Sequence, residues 1–232
     1  MRKIDNGDCP QVLLSQDVYN DLHRMEQDVA KGNNPKANNN IYGHSDVKNA
    51  LLDSHKCKCA YCERNLNGDF GHIEHYRPKG GYIDPATEKL VVPGYWWLAY
   101  SWDNLLLSCS VCNTSYKKNH FPLENENQRN IAGRDISQEM PLLINPAQED
   151  PARHIEFHRW MVCPKMVGGC EDQKGKTTIE ILQLNSRRDL VEKRERRWKW
   201  MEEDKSKGID IAQRTGEQDE FTGMFQNNTF QL

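Results

Sequence analysis

Two Cys-x-x-Cys pairs are the residues of this sequence best suited to hold a metal ion. Cys59 and Cys62 form the first pair, and Cys109 and Cys112 form the second. Each pair can grip one ion from a tight turn, and two pairs complete the closed tetrahedral shell of a structural zinc site. Cys57 is an alternative first ligand, and four metal-free buried thiols are the alternative to zinc. Cys59 is preferred because its spacing to Cys62 equals that of the downstream pair.

A carboxylate, a histidine and two asparagines accompany the cysteines. Because neighbouring side chains on a strand point to opposite faces, Glu74 can bind a metal ion while His75 activates water beside it. A neutral histidine accepts protons near pH 7. Asn104 and Asn113 can equally be a turn residue and a helix cap. The whole set suits metal-assisted hydrolysis of a phosphodiester bond.

Several basic residues flank this set and are candidates for contact with a nucleic-acid backbone. The alternative for the lysines near residue 117 is a solvated helix face. The first histidine of the group shares the Glu74 face of the strand, where it can also support the metal ligand. The candidate substrate contacts are His72, Arg77, Lys79, Lys117, Lys118 and His120.

Two short strands and a helix must position these residues. Residues 73–76 and 105–107 are predicted strands, and a helix is predicted to run from residue 111 to about 118. Residues 82–93 are predicted to be a loop. The aromatic stretch 96–100 is predicted to begin a helix that packs on this core.

Helical extensions are predicted on both sides of the core. Residues 11–31 and 45–55 have helical apolar spacing, the second with Ser45 as N-cap. Residues 154–158 alternate like a strand, and a turn before a possible partner strand is predicted at Gly168 and Gly169. One helix is predicted over 177–200; its many charges indicate a solvated surface, or alternatively a partner face anchored by Trp198 and Trp200. The predicted domains are 1–55, 56–124 and 125–232.

Composition restricts the class of protein. The 232 residues carry a formal net charge of −3, with 37% apolar and 28% charged residues. A protein that binds nucleic acid on its own usually carries net positive charge. Another subunit is therefore expected to supply part of the contacts with the polyanion. No apolar run is long enough to cross a membrane, and the first residues lack a secretory apolar core. A cytoplasmic location is therefore predicted.

The constellation over residues 59–123 resembles the HNH endonuclease family. The resemblance implies an α+β protein with a ββα-metal core. It assigns catalytic-metal binding to Glu74 and Asn113, water activation to His75, and orientation of that histidine to Asn104. An all-oxygen ligand pair suits Mg²⁺ or Mn²⁺.

Longer motifs are similar to the PtuB-type HNH subunits of Septu and retron antiphage systems. They are Cys-Ala-Tyr-Cys-Glu, Ile-Glu-His-Tyr-Arg-Pro-Lys, Tyr-Trp-Trp-Leu-Ala-Tyr-Ser-Trp-Asp-Asn-Leu, Cys-Asn followed by Lys-Lys-Asn-His-Phe-Pro-Leu, Leu-Leu-Ile-Asn-Pro, and Thr-Ile-Glu-Ile-Leu-Gln-Leu-Asn. Ser186 and Arg187, just after the last motif, depart from the pattern. The resemblance implies a PtuA-type ATPase partner and, in a retron, a reverse transcriptase with its RNA–DNA. DNA is favoured as substrate. The alternatives are an HNH nuclease that cuts RNA and a zinc-ribbon binding module without catalysis.

Overall fold

A two-stranded antiparallel sheet lies at the centre of the molecule. The computed structural model describes residues 1–68, 71–210, 215–216 and 218–226. Strand β1 (His72–His75) pairs with β4 (Leu105–Ser108), which places Glu74 opposite Leu106. The three leucines of β4 are fully buried, because β4 is covered on both faces. The mixture of helices and strands agrees with the predicted α+β class.

Three further two-stranded antiparallel sheets lie along the chain. They pair β2 (Tyr82–Ile83) with β3 (Leu90–Val91), β5 (Ile155–His158) with β6 (Met161–Pro164), and β7 (Met166–Val167) with β8 (Cys170–Glu171). The interpretation of residues 82–93 as a loop was therefore wrong. The partner of β5 also comes before Gly168 and Gly169, which connect β7 to β8 with positive φ angles.

The N-terminal part consists of short helices. A 3-10 turn (Gln11–Leu14) precedes α1 (Gln16–Ala30), followed by α2 (Asn39–Tyr42) and α3 (Ser45–Ser54). A single helix over 11–31 was wrong at its start, because Ser15 is extended with φ −79° and ψ 163°. The N-cap of α3 is His44 and not Ser45, since the His44 Nδ1 atom accepts a hydrogen bond from Asp46 N at 3.2 Å.

The long helix predicted over 177–200 is two helices. Helix α4 (Gln173–Ile181) ends before a break, and α5 (Arg188–Ser206) follows it. At the break the Asn185 side chain bonds both backbone groups of Val162, at 3.1 and 2.7 Å. This pairing attaches the chain to β6 and prevents helix continuation. A short α6 (Gly223–Gln226) comes last among the described residues.

The predicted aromatic helix and aromatic anchors also need correction. Trp96–Leu98 form only a single 3-10 turn, and a second such turn covers Trp102–Asn104. Trp198 is buried against Phe225, so it is a core residue and not a docking anchor. Trp200, on the same helix, is 65% exposed.

Both flanking parts share one hydrophobic core with the central sheet. Ile4 N donates to Pro146 O at 2.8 Å, and Asn6 Nδ2 donates to Leu105 O at 3.1 Å. Gly223 N donates to the buried Glu63 Oε2 at 3.0 Å. The domain boundaries near residues 55 and 124 stay a prediction. None of the described helices has the length and apolar character needed to cross a bilayer.

Candidate functional site

The four cysteines of the two pairs form a closed, buried cluster. The sulfur atoms of Cys59, Cys62, Cys109 and Cys112 all lie within 4.8 Å of one another. Cys62 Sγ is 3.8 Å from Cys109 Sγ. Zinc–sulfur bonds of about 2.3 Å in a regular tetrahedron require sulfur atoms about 3.8 Å apart, so the cluster fits a zinc ion. Cys57 is outside the cluster, in agreement with the choice of Cys59.

Backbone and side-chain contacts fix this cluster to the rest of the fold. Ala60 N donates to Leu107 O at 2.8 Å, which attaches the first cysteine pair to β4. Arg187 Nη1 donates to Cys112 Sγ at 3.1 Å from the segment before α5. A tetrathiolate zinc site carries net negative charge, and a guanidinium contact offsets it. No local motif predicts this role of Arg187, because its contact with Cys112 joins residues that are 75 positions apart in the sequence.

A cavity of about 330 Å³ opens beside the cluster and contains three of the four candidate catalytic residues. Glu74, His75 and Asn113 all line it. Part of its wall is the loop of residues 34–37 from the N-terminal extension, which no motif near the cysteines predicts. Asn34 Nδ2 holds this loop by donating to Gly80 O at 3.2 Å.

His75 is buried with a defined tautomer. Its Nε2 atom lies 2.9 Å from the carbonyl oxygen of Ala99. A carbonyl oxygen can only accept, so Nε2 carries the proton and Nδ1 bears the lone pair. The ring edge contacts Tyr42 at 4.8 Å between centroids. Burial first, and the nearby Lys79 ammonium second, lower the pKa of His75 well below its usual value, so the imidazole is neutral.

Asn104 joins the two loops that surround His75. Its Oδ1 accepts a hydrogen bond from Arg77 N at 2.7 Å, and its Nδ2 donates to Arg77 O and Leu98 O, each at 3.1 Å. Leu98 precedes Ala99, the residue whose carbonyl fixes the His75 ring. Asn104 is therefore buried against backbone groups and acts on His75 through that turn.

Glu74 forms a buried ion pair. Lys117 Nζ lies 2.5 Å from Glu74 Oε1, and the Lys117 side chain is fully buried. Burial raises the pKa of Glu74, and the Lys117 ammonium opposes that rise. Lys117 was predicted to face solvent or a flanking phosphate; instead it points inward and contacts the strand that carries Glu74 and His75.

Asn113 occupies a π-helical segment, Val111–Lys117, and not an ordinary α-helix. Lys118 N donates to Asn113 O at 2.8 Å across five residues, and Lys118 then has a positive φ of 46°. Wide π turns of this kind are frequent at functional sites. The segment places Asn113 and Lys118 on the same cavity.

The candidate substrate contacts separate into two groups. Lys79 and the exposed Lys118 line the cavity, whereas His72 is exposed on β1 and His120 is half-buried near β2. Arg77 was placed wrongly at the substrate surface. It is buried in an ion pair with Glu139, and its guanidinium carbon lies 5.1 and 4.9 Å from the ring centroids of Tyr95 and Phe121.

These features define a mixed helix–strand protein with a four-cysteine cluster suited to zinc and an adjacent carboxylate–histidine cavity. No family model matches the chain. The chain is similar to the Septu protein PtuB of Bacillus mycoides (strain KBAB4), with 42% identity over 154 residues, 66% of this chain and 51% of that protein. The Septu protein PtuB of Bacillus thuringiensis is 32% identical over 155 residues, 66% of this chain and 46% of that protein.

The Septu protein PtuA of Bacillus mycoides (strain KBAB4) is also similar, with 32% identity over 139 residues, 59% of this chain and 18% of that protein. The chain spans about half the length of the two PtuB relatives. Sequence similar to this chain therefore occurs both in proteins named PtuB and in a protein named PtuA.

Proposed function

We propose that this protein is a metal-dependent HNH endonuclease of a Septu-type antiphage system, with DNA as the favoured substrate. The observation that carries the proposal is the arrangement of His75. Its Nε2–H is fixed on Ala99 O, and it lies on one cavity with Glu74 and Asn113. A zinc module that only binds a partner needs the four cysteines, but it does not need an oriented histidine beside Glu74 and Asn113.

The two metals have separate roles in the proposal. The closed cysteine cluster would hold zinc as a structural ion, with no position left for substrate. The carboxylate of Glu74 and the carboxamide of Asn113 would hold Mg²⁺ or Mn²⁺, since both offer hard oxygen donors on one cavity. When bound, such an ion supplies electrostatic stabilisation of the phosphate and of the departing oxygen.

The chain's own residues perform the proton chemistry. His75 would accept the proton of the attacking water at Nδ1, the nitrogen opposite the one that Ala99 holds, after the Lys79 Nζ atom, 3.4 Å from Nδ1, turns from the ring to a phosphate. Asn104 keeps that ring orientation through the Leu98 turn. Lys79 and Lys118 line the same cavity and would contact the phosphates on either side of the cleaved bond.

A PtuA-type ATPase is the proposed partner. The names of the relatives support this partner, and so does the net charge of −3, which is unsuited to tight independent binding of a polyanion. The exposed, charged surface of α5 with Trp200 is a candidate contact region. If the system is a retron, the complex would also contain the reverse transcriptase with its RNA–DNA.

Cleavage by Glu74→Ala and Asn113→Ala proteins tests this proposal. Both variants should lose DNA cleavage in the complex with the ATPase, and millimolar Mn²⁺ should restore part of it, because the missing group is a metal ligand. Glu124→Ala removes an exposed carboxylate and is the matched control. Full cleavage by zinc-loaded Glu74→Ala at low metal concentration would contradict the proposal.

A further inference from the structure

The buried Lys117 ammonium lies directly beside Glu74, a proposed metal ligand, so its positive charge affects metal binding. It lies 2.5 Å from Glu74 Oε1 and 3.0 Å from the carbonyl oxygen of His75. It also stands four residues after Asn113 on the same π-helical segment. Lys117 thereby joins the strand that carries Glu74 to the segment that carries the other proposed metal ligand.

The charges around the cavity favour an anion over a free cation. Glu74 is the carboxylate among the lining residues, and Lys117 already compensates it. Lys79 Nζ lies 3.4 Å from His75 Nδ1, and the exposed Lys36 and Lys118 stand on the cavity rim. A divalent ion that enters this region meets net positive charge, and burial strengthens that repulsion relative to water.

We propose that the positive charge of Lys117, held against the Glu74 carboxylate, weakens metal binding at this centre until the substrate phosphate arrives. This inference rests on the proposed nuclease function and specifies how its catalytic centre is completed. Glu74 would still hold the metal ion, with the Lys117 ammonium beside it as an opposing charge. The phosphodiester then adds the negative charge that the cavity lacks.

Two consequences follow from this arrangement. Metal ion and nucleic acid should bind cooperatively, and each should raise the affinity for the other by the same factor. Without nucleic acid the centre should stay largely free of catalytic metal, so the isolated chain would be a poor nuclease. The positive charge of Lys117, and not its size alone, should set this coupling.

Mn²⁺ binding to zinc-loaded protein, followed by electron paramagnetic resonance of the free ion, tests the proposal. Without nucleic acid, Lys117→Met should bind Mn²⁺ at least about tenfold more tightly than the unsubstituted protein, because one adjacent positive charge is gone. Lys89→Met removes an exposed lysine away from the cavity and should leave the affinity unchanged. Equal or weaker binding by Lys117→Met would overturn the proposal.

A second pair of measurements separates charge from packing. Lys117→Met leaves Glu74 buried without its partner and should lower the melting temperature, whereas Glu74→Gln/Lys117→Met should recover stability and bind no Mn²⁺ at this centre. If Lys117→Met does not fold, Lys117→Gln, which keeps a polar group beside Glu74 without the charge, replaces it in the Mn²⁺ titration: tighter binding is expected, and equal or weaker binding contradicts the proposal.

The nucleic acid is tested in the His75→Ala background, which retains both proposed ligands. A short DNA duplex should tighten Mn²⁺ binding there at least about tenfold. An unchanged Mn²⁺ affinity with bound duplex would overturn the coupling. These binding results do not depend on turnover, so failure of the nuclease proposal, seen as cleavage by His75→Ala, is distinguishable from failure of this one.

Discussion

The Nε2 atom of His75 lies 2.9 Å from the carbonyl oxygen of Ala99, and this contact determines which ring nitrogen can act as a base. The Ala99 carbonyl belongs to a turn that Asn104 holds by donating to the adjacent Leu98 oxygen at 3.1 Å. The orientation of the histidine therefore depends on a residue whose side chain hydrogen-bonds to the backbone of Arg77 and Leu98.

Replacing Asn104 should damage both stability and activity. Asn104→Ala leaves the buried Arg77 N–H without its acceptor, which should cost at least about 2 kcal/mol of unfolding free energy in urea. Cleavage should fall further than the fraction of folded protein explains, because His75 loses its supported turn. Asn67→Ala, at an exposed position, should cost less than about 0.5 kcal/mol. Unchanged stability of Asn104→Ala would contradict the role of this residue.

The four-cysteine cluster predicts one zinc ion per chain. Cys109→Ser should abolish stoichiometric zinc and cooperative unfolding, since structural zinc contributes on the order of 10 kcal/mol to small folds. Cys170→Ser removes an exposed thiol outside the cluster and should change neither. Elemental analysis together with thermal melting distinguishes the two variants. Folded protein without zinc would be incompatible with the proposed site.

His55 should make the fold sensitive to acid. The side chain is buried, and burial lowers its pKa from 6.5 to about 3. Below pH 6.5 the His55 imidazole binds a proton in the unfolded chain but stays neutral in the folded chain. The free energy of unfolding therefore falls as the pH falls toward 3. Between pH 7.5 and pH 5 this group alone should cost about 2 kcal/mol.

Urea unfolding at pH 7.5 and pH 5 measures the effect of His55. His55→Gln cannot take up that proton, so its loss of stability between the two pH values should be smaller by about 2 kcal/mol. The other acid-sensitive groups remain in both proteins and cancel in the comparison. Equal losses of unfolding free energy in the two proteins would contradict a contribution of His55 to the pH dependence.

Local signals explain why the central elements could be predicted from the sequence. The spacing of Cys59 and Cys62 and the apolar run of β4 are properties of short segments, and both were found where the sequence placed them. The failures involve distant partners. The break before α5 depends on Asn185 bonding Val162, and no periodicity over 177–200 contains that contact.

In the candidate site, too, local motifs were predictable from the sequence, whereas side-chain orientation was not. Glu74 and Asn113 were named from a motif, and both line the cavity, yet their roles stay predictions. The basic residues were assigned by sequence proximity, which does not distinguish an exposed lysine from a buried one. Lys118 faces solvent whereas Lys117, one residue earlier, is fully buried, because the π-helical segment turns it toward Glu74.

The isolated chain should bind nucleic acid weakly. Its net charge is −3, so the chain as a whole does not attract a polyanion. Fluorescence anisotropy with a DNA duplex should give weak affinity that improves strongly when the ATPase is added. Lys79→Gln should weaken binding by the complex and reduce its salt dependence. Tight, strongly salt-dependent binding by the isolated chain would contradict the need for a partner.

DNA cleavage by His75→Ala, in complex with the ATPase, tests the central claim most directly. The matched control is His158→Ala, which removes an exposed histidine of strand β5, outside the cavity. We predict that His75→Ala keeps its zinc, its fold and its partner but loses about 10²–10⁴-fold in cleavage rate, and that added Mn²⁺ does not restore it. His158→Ala should retain its activity. Near-normal cleavage by folded, zinc-loaded His75→Ala would contradict the HNH mechanism.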